Sequence, residues 1–402
     1  MVQTKYFFNE NIAIAYGATG ACIYDLREPE AKIYRLDKNA SEFVRTITEK
    51  DGFQIPAANE EFLSILLDNS FLIKSPTQSK ADKITTLGKI AAWVEITEKC
   101  QLRCTYCYGS FGEKKKSTLS SQDVDLIVDQ LSSNGFTDFR LIGGEPLLSE
   151  NIVKELILKL SSINSARISV YTNGLLLNQE FLTFCKIHNV HLSIGIFGVN
   201  DAECMAITGA KEIATKQYKI IELVKASNVM SRLSITRTEK NRSATKEDLA
   251  RIYNFPTELI REDQVKDVGR ATNTKTPQNS QQKFIQKKTF SHKFKSSFIK
   301  QNISGGHSCY RDKICITSSL DVHPCVMERS VVYGNLRHTS LIDLLRSGSK
   351  YMKASKDFID TCNACEYRYA CFDCRVQREL PGVFFSKSSN CGYNPHTGTW
   401  VE

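Results

Sequence analysis

Between Lys89 and Val265 the chain alternates short apolar runs with helical stretches, and that alternation limits the fold more than any other feature. "AAWVEIT", "DFRLIGG", "RISVYTNG", "HLSIGIFG", "SRLSITRT" and "TELIRED" read as six strands. Between them lies "SSQDVDLIVDQLSSNG", a helix with a Ser cap and a Gly stop, and then four further helical stretches. Strands that alternate with helices of this length argue βαβ units and a parallel sheet. Six units predict an α/β fold of the open, partial (β/α)6 kind rather than a closed eight-unit barrel. Sites on such folds lie at the carboxyl ends of strands, and "EKCQLRCTYC", "GGEP" and "YTNG" all fall there.

The chain holds fourteen cysteines, and three of them, Cys100, Cys104 and Cys107, sit within eight residues. The start, "MVQTKYFFNENIAIAYG", lacks a basic region followed by an apolar core, so no signal peptide is expected. No stretch approaches the ~18 apolar residues of a membrane span. A reducing cytoplasm is the expected compartment, and there cysteines serve metal or redox chemistry rather than structural disulfides. Zinc and ordinary ferredoxin-type clusters take four protein ligands. A three-thiol site is therefore a chance cluster, a zinc site closed from afar, or a metal centre left open. Cys-x3-Cys-x2-Cys in a loop after the first barrel strand can wrap one corner of an iron–sulfur cubane and leave its fourth iron free.

With its aromatic residue before the last thiol, Tyr106, this motif resembles that of the radical S-adenosylmethionine (SAM) enzymes. "GGEPLL" ends the second strand, where the resemblance implies that Gly143, Gly144, Glu145 and Pro146 hold the ammonium group of SAM. Glycines let a backbone come close to a ligand, and Glu145 can offer a carboxylate to a cation. By the same resemblance Thr172 and Asn173 of "YTNG" lie near the cofactor, Ser193 near its ribose, and Arg232 near its carboxylate. The chemistry implied is one-electron cleavage of SAM by a [4Fe–4S] cluster, giving a 5′-deoxyadenosyl radical that abstracts a substrate hydrogen. No acid–base residue can be named from the sequence.

Residues 304–402 form a loop-rich tail with eight of the fourteen cysteines. A segment with so little hydrophobic periodicity needs metal to fold. Read alone, Cys362, Cys365, Cys371 and Cys374 allow a zinc ribbon, which leaves Cys309, Cys315, Cys325 and Cys391 unexplained. The order resembles the twin-cluster SPASM domain of peptide-modifying radical SAM enzymes. That resemblance implies one auxiliary cluster on Cys309, Cys315, Cys325 and Cys374, and a second on Cys362, Cys365, Cys371 and Cys391. Three [4Fe–4S] clusters and SAM are then the expected cofactors. Two departures stand out: "CFDC" has two residues between its cysteines where three are usual, and Leu320 replaces a usual glycine, which suggests a different turn.

Residues 1–85 read as a small α+β unit. "NIAIAYG", "ACIYDLR" and "KIYRLD" are strand-like, "NASEFVRTITEKDG" is a helix with an Asn cap and apolar Phe43, Val44 and Ile47, and "NEEFLSILLDNSFLI" is a helix running into an edge strand. The pattern resembles a winged-helix leader-recognition domain. Residues 86–267 are the expected radical SAM barrel and 268–303 a basic linker or insertion. Between Val268 and Ser308 there are eight Lys/Arg and no acid within a chain of net charge +9. That stretch suits an acidic peptide or protein partner and has no nucleic-acid recognition motif. Cys22, Cys185 and Cys204 fall outside both cysteine patterns, and His292, His307 and His323 are close to them only in sequence.

The expected protein is a radical SAM peptide maturase acting on a ribosomally made precursor peptide with a leader. It would take electrons from a flavodoxin or ferredoxin and install a thioether, or next a carbon–carbon cyclophane. A sulfatase-type maturase, a peptide epimerase and, outside enzymes, a zinc-dependent binding module are the alternatives.

Overall fold

A computed structural model of the chain describes residues 6–50, 55–74, 91–273, 285–291, 293–304, 306, 309–380 and 382–401. In chain order the first elements are β1 (Phe7–Phe8), β2 (Ile12–Tyr16), β3 (Ala21–Asp25), β4 (Glu30–Leu36), α1 (Lys38–Glu49), α2 (Glu60–Asp68) and β5 (Leu72–Ile73). There follow β6 (Ala91–Glu95), α3 (Ser121–Ser133), β7 (Asp138–Ile142), α4 (Glu150–Ser161), β8 (Arg167–Thr172), α5 (Gln179–Ile187) and β9 (His191–Ile196). Next come α6 (Asp201–Thr208), α7 (Ile213–Ser227), β10 (Ser231–Arg237), α8 (Lys246–Ile252) and β11 (Ile260–Gln264). The last are β12 (Phe294–Lys295), α9 (Ser296–Ser304), β13 (Lys313–Ile316), β14 (Asp321–His323), β15 (Gly334–Asn335), α10 (Leu341–Met352), β16 (Tyr393–Asn394) and β17 (Thr399–Trp400).

The chain divides into two compact units. One gathers Leu87–Thr276 and Asp312–Lys350, the other Met1–Thr86, Pro277–Arg311 and Tyr351–Glu402. In the first unit a nine-stranded sheet runs in the order β11-β10-β9-β8-β7-β6-β13-β14-β15. Neighbours from β11 through to β13 are parallel, and only the β13–β14 and β14–β15 pairs are antiparallel. Side chains alternate across a strand. Register therefore puts Val94, Leu141, Val170 and Leu192 on one face, all but excluded from solvent. Val124, Ile127 and Leu131 of α3, and Val153, Leu156 and Ile157 of α4, are equally buried. The opposite face carries Trp93, Arg140, Ser169 and His191 in one row and Tyr171, Ser193 and Arg232 in the next. That face is polar and partly open.

The six strands read from the sequence are present. A seventh parallel strand, β13, was not foreseen, because "KICI" is too short to show a period; β6 supplies the ladder that makes it a strand. Leu320, in the β13–β14 hairpin, takes φ +70° and is fully buried. Leu320 thus takes a left-handed conformation that a glycine would favour, held by burial of its side chain against a cost of about 1–2 kcal/mol.

In the second unit β12-β4-β3-β2 form an antiparallel sheet. One of its faces packs Ile23, Leu36, Phe43, Val44 and Leu66 into a core with α1 and α2. The other packs Cys22, Tyr24 and Ala31 with Ile299, Tyr367 and Tyr393. The cap of α1 is Asp37, whose carboxylate accepts the Ala40 N–H at 2.8 Å, two residues before the expected Asn39. From Ile285 on, the described part of the basic stretch is built into this unit, whereas residues 268–273 belong to the first. β12 pairs with β4, the Ser296 N–H donates to the Pro29 carbonyl at 2.8 Å, and Ile285 bridges Cys391. His292 and His307 lie outside the described residues, and His323 is buried with Nδ1 2.8 Å from the Val331 carbonyl.

Candidate active site

The loop leaving β6 carries Cys100, Cys104 and Cys107 into one cluster with Leu102, Tyr106, Phe197 and Cys204. It is pinned to the end of α6: the Arg103 N–H donates to the Thr208 carbonyl and the Thr105 N–H to Ile207, both at 2.9 Å. Tyr106 is partly buried, with its hydroxyl at Thr236 near the carboxyl end of β10. Burial pushes the Cys100 thiol up to about 11, with Glu145 and Cys107 adding to the rise, while the Leu102 N–H and Arg270 oppose it. Burial, then Cys100 and Cys107, raise the Cys104 thiol further. Cys100 and Cys104, whose ionisation burial and neighbouring thiols oppose, become thiolates beside Cys107 only around a cationic centre. The donor set therefore fits an iron–sulfur cluster. Among the described residues no three His, Cys, Asp or Glu side chains are grouped for a single metal ion.

Gly143 and Gly144 are required by the chain itself. The Gly144 N–H donates to the Thr97 carbonyl and the Glu145 N–H to the Lys99 carbonyl, both at 2.8 Å. A Cβ on Gly143, at φ +151°, would lie 2.5 Å from the Thr97 carbonyl, and one on Gly144 2.1 Å from that of Lys99. The close approach seen is to the strand leading into the cysteines. Glu145 is fully buried: Oε1 accepts from the Leu147 N–H (3.1 Å) and the Thr172 hydroxyl (2.7 Å), and Oε2 from the Asn173 N–H (2.8 Å). Burial raises its pKa against those three donors. The carboxylate ties the ends of β7 and β8 together rather than reaching outward, and Pro146 opens the short helical turn that follows. Beside it the buried atoms Asn173 Nδ2 and Gln101 Oε1 have no hydrogen-bond partner among the described residues. Buried polar atoms are normally satisfied, so these two are free for a polar ligand such as SAM.

Sequence reasoning missed Arg270. Its Nε donates to the Cys104 carbonyl and Nη1 to that of Phe111, both at 2.8 Å, and its N–H to the Cys107 carbonyl at 3.0 Å. Gly269, at φ +57°, lies so close that a Cβ would be 2.2 Å from the Cys107 carbonyl. The signal available was only position, just after the sixth strand, at the end of the sheet where the cysteine loop sits. Arg270→Ala removes two charge-assisted donors from this loop, worth about 1–3 kcal/mol each. The expected result is less iron and sulfide bound per chain after reconstitution and a lower Tm, measured against Arg270→Lys.

Ser193 and Arg232 do not join this group. Arg232 donates to Ser193 Oγ (3.1 Å) and to the Tyr171 hydroxyl (2.8 Å), and both residues line a separate hollow with Arg140, Arg167 and His191. Arg232 lies four residues before Thr236 on β10, about 13 Å along a strand.

In the second unit Cys362, Cys365, Cys371 and Cys391 line one hollow with Lys356, Arg368 and Lys387, while Cys374 is absent from its walls. This grouping crosses the simple zinc-ribbon order. Burial raises all of Cys362, Cys365 and Cys371, the first to about 11 and the last to about 12, and Lys356 opposes the rise at Cys362 and Cys371. Lys356 is itself buried, 2.7 Å from Asp373. A cationic wall around four thiols suits an anionic thiolate cluster. Cys309 sits with its sulfur 3.8 Å from the Asp373 carbonyl, next to Cys374 in sequence. In the first unit Cys315 is fully buried, with Glu95, Arg329 and Cys325 acting on it. Glu95 accepts from Arg329 and from the Tyr108 hydroxyl. Cys22, Cys185 and Cys204 are fully buried core thiols.

The parallel sheet thus carries three packed thiols at the carboxyl ends of its strands, with a glycine-bounded buried carboxylate beside them. The chain matches the Radical SAM superfamily over residues 94–239. It is 27% identical over 184 residues to the sporulation killing factor maturation protein SkfB of Bacillus subtilis strain 168, covering 46% of this chain and 44% of SkfB. The match thus spans less than half of that relative. In fold it is similar to Streptococcus suis SuiB bound to precursor peptide SuiA, with TM-score 0.59 and 13% identity over 96% of this chain and 99% of SuiB. It is also similar to anSMEcpe with bound AdoMet, with TM-score 0.55 and 16% identity over 75% of this chain and 93% of that one. No helix among the described residues is long and apolar enough to cross a membrane.

Proposed function

We propose that the chain is a peptide maturase that installs a radical-derived cross-link on a ribosomally made precursor, a thioether first and a carbon–carbon cyclophane next. The observation that carries the reading is the meeting of the three-thiol loop with the Glu145 tie and the unsatisfied Asn173 and Gln101 atoms. The peptide substrate rests on the likeness to SkfB and, in fold, to SuiB with its precursor. When bound, a [4Fe–4S] cluster with SAM supplies an electron and a carbon-centred radical able to abstract hydrogen.

The chain's own residues hold and shield. Cys100, Cys104 and Cys107 would hold the cluster, with Tyr106 packed in the same group. Gly143 to Pro146, Thr172 and Asn173 shape the SAM pocket, with Glu145 holding it in register. The polar face of a partial (β/α)6 barrel receives the substrate residue, and burial at the Cys loop excludes water. In the SPASM reading of the tail, Cys362, Cys365, Cys371 and Cys391 hold one auxiliary cluster and Cys309, Cys315, Cys325 and Cys374 the other. The β2–β3–β4 sheet with α1 and α2 is read as the winged-helix-like domain that binds the leader. A flavodoxin or ferredoxin in a reducing cytoplasm is the proposed donor.

The test is co-expression with the cysteine-containing peptide encoded nearest the gene, followed by mass spectrometry. Loss of two hydrogens per cross-link with cysteines resistant to alkylation supports the thioether; the same loss with free cysteines moves the assignment to a cyclophane. Unchanged mass with inverted stereochemistry makes the enzyme an epimerase, and no 5′-deoxyadenosine from reduced enzyme, SAM and peptide sinks the reading.

A further inference from the structure

The hollow that holds Arg232 has no part in the cluster or in the SAM pocket described above, and its charge is unbalanced. It measures about 280 Å³ and is lined by Arg140, Arg167, Arg232 and Arg261 together with His191 and Tyr171. Asp138 serves both Arg140 (2.8 Å) and Arg167 (3.1 Å), and Asp263 serves Arg261 (2.8 Å). Arg232 meets no carboxylate among the described residues, only the hydroxyls of Ser193 and Tyr171. Four guanidinium groups thus face two carboxylates. Burial, then Arg167 and Arg232, lower the pKa of His191, in keeping with a surrounding that lacks negative charge.

The hollow opens at the amino ends of the strands: Arg167, His191 and Ser231 are the first residues of β8, β9 and β10. The cysteine loop is at the other end of the same strands. Guanidinium groups recognise carboxylates through paired N–H donors. We propose that this hollow binds a carboxylate of the substrate peptide. The inference rests on the peptide-maturase reading and adds an acidic requirement to it. Arg232 and Thr236 are about 13 Å apart along β10, a gap that an extended peptide crosses in about four residues. An acid held at Arg232 would therefore be at least about four residues from a residue at the cysteine-loop end of β10.

The test is calorimetric titration of the cluster-loaded full chain with four probes. N-acetyl-glutamate amide carries a side-chain carboxylate, N-acetyl-alanine a terminal one, and N-acetyl-glutamine amide none; inorganic phosphate is the fourth. Saturable heat with either carboxylate and none with the glutamine amide is expected, and which carboxylate binds more tightly identifies the source. Arg232→Gln should weaken that binding at least about tenfold, a loss of about 1.4 kcal/mol, and Arg232→Lys by less, with the cluster absorbance of both variants unchanged. Equal binding of the glutamine amide, tighter binding of phosphate, or affinity unmoved in Arg232→Gln would overturn the proposal. Carboxylate binding in an enzyme that never yields 5′-deoxyadenosine with peptide would retire the maturase reading while keeping the pocket. Peptide modification without carboxylate heat would retire the pocket alone.

Discussion

Replacing Cys104 with alanine should reduce 5′-deoxyadenosine formation by at least about a thousandfold, equivalent to about 4 kcal/mol of barrier. The thiol is one of three packed in a single group, and two remaining thiolates leave an iron–sulfur cluster without a third anchor at a site that no fourth cysteine of the loop can serve. The loss should be visible before any turnover, as reduced iron and sulfide per chain and a weaker brown absorbance after reconstitution. Cys185→Ala is the matched comparison. Cys185 is also fully buried, in α5, where burial pushes its thiol up to about 12. It belongs to the apolar core, so its removal should lower the Tm by a few degrees, as ~1 kcal/mol does in a domain of this size, and leave SAM cleavage intact. Equal loss of iron in both variants would show that packing, not ligation, explains Cys104.

The second large effect is expected at Gly144. The atoms that an added Cβ would strike are the Lys99 carbonyl oxygen at 2.1 Å and carbon at 2.7 Å, and the Glu98 carbonyl at 3.0 Å. All three are backbone, so no side chain can rotate away. Gly144→Ala must push the "GGEP" turn off the strand that leads to Cys100 or push that strand itself. Overpacking of this kind costs about 1–3 kcal/mol. Because Glu145 follows directly and holds Thr172 and Asn173, the same displacement should weaken SAM binding by about 5- to 150-fold. Calorimetry with SAM on the loaded enzyme measures it. Gly135→Ala separates this from a general cost of losing glycine. Gly135 has φ +74° but nothing within 4 Å of its Cβ position, so it should lose stability through backbone strain and keep its SAM affinity.

The parts legible in the sequence were those whose signal is local. The six strands and their helices follow from changes in period over a few residues, and Ser120 caps α3 with Asp123 in a full capping box. The cysteine loop was legible because ligand spacing is itself the constraint. Roles that depend on distant partners were not. Glu145 looks like an outward carboxylate until its donors, 27 and 28 residues further on, are found around it. Arg270 is 166 residues from the carbonyl it binds on Cys104, and no pattern in "VGRAT" announces it. Cys391 joins Cys362, Cys365 and Cys371 in one hollow, a grouping suggested only by the SPASM resemblance and not by spacing. Leu320 is a case where residue type alone does not announce the backbone: a leucine sits at φ +70° because its side chain is buried.

The place of β13 beside β6 sets an order on the life of the chain. Val94 pairs on one side with Leu141 and on the other with Ile316. While the protein is being synthesised, the strand that launches the cysteine loop keeps one raw edge until Ile316 has emerged from the ribosome. Exposed edges of parallel sheets invite pairing with other chains. Ribosomes stalled before Lys313 would accordingly release chains prone to aggregate.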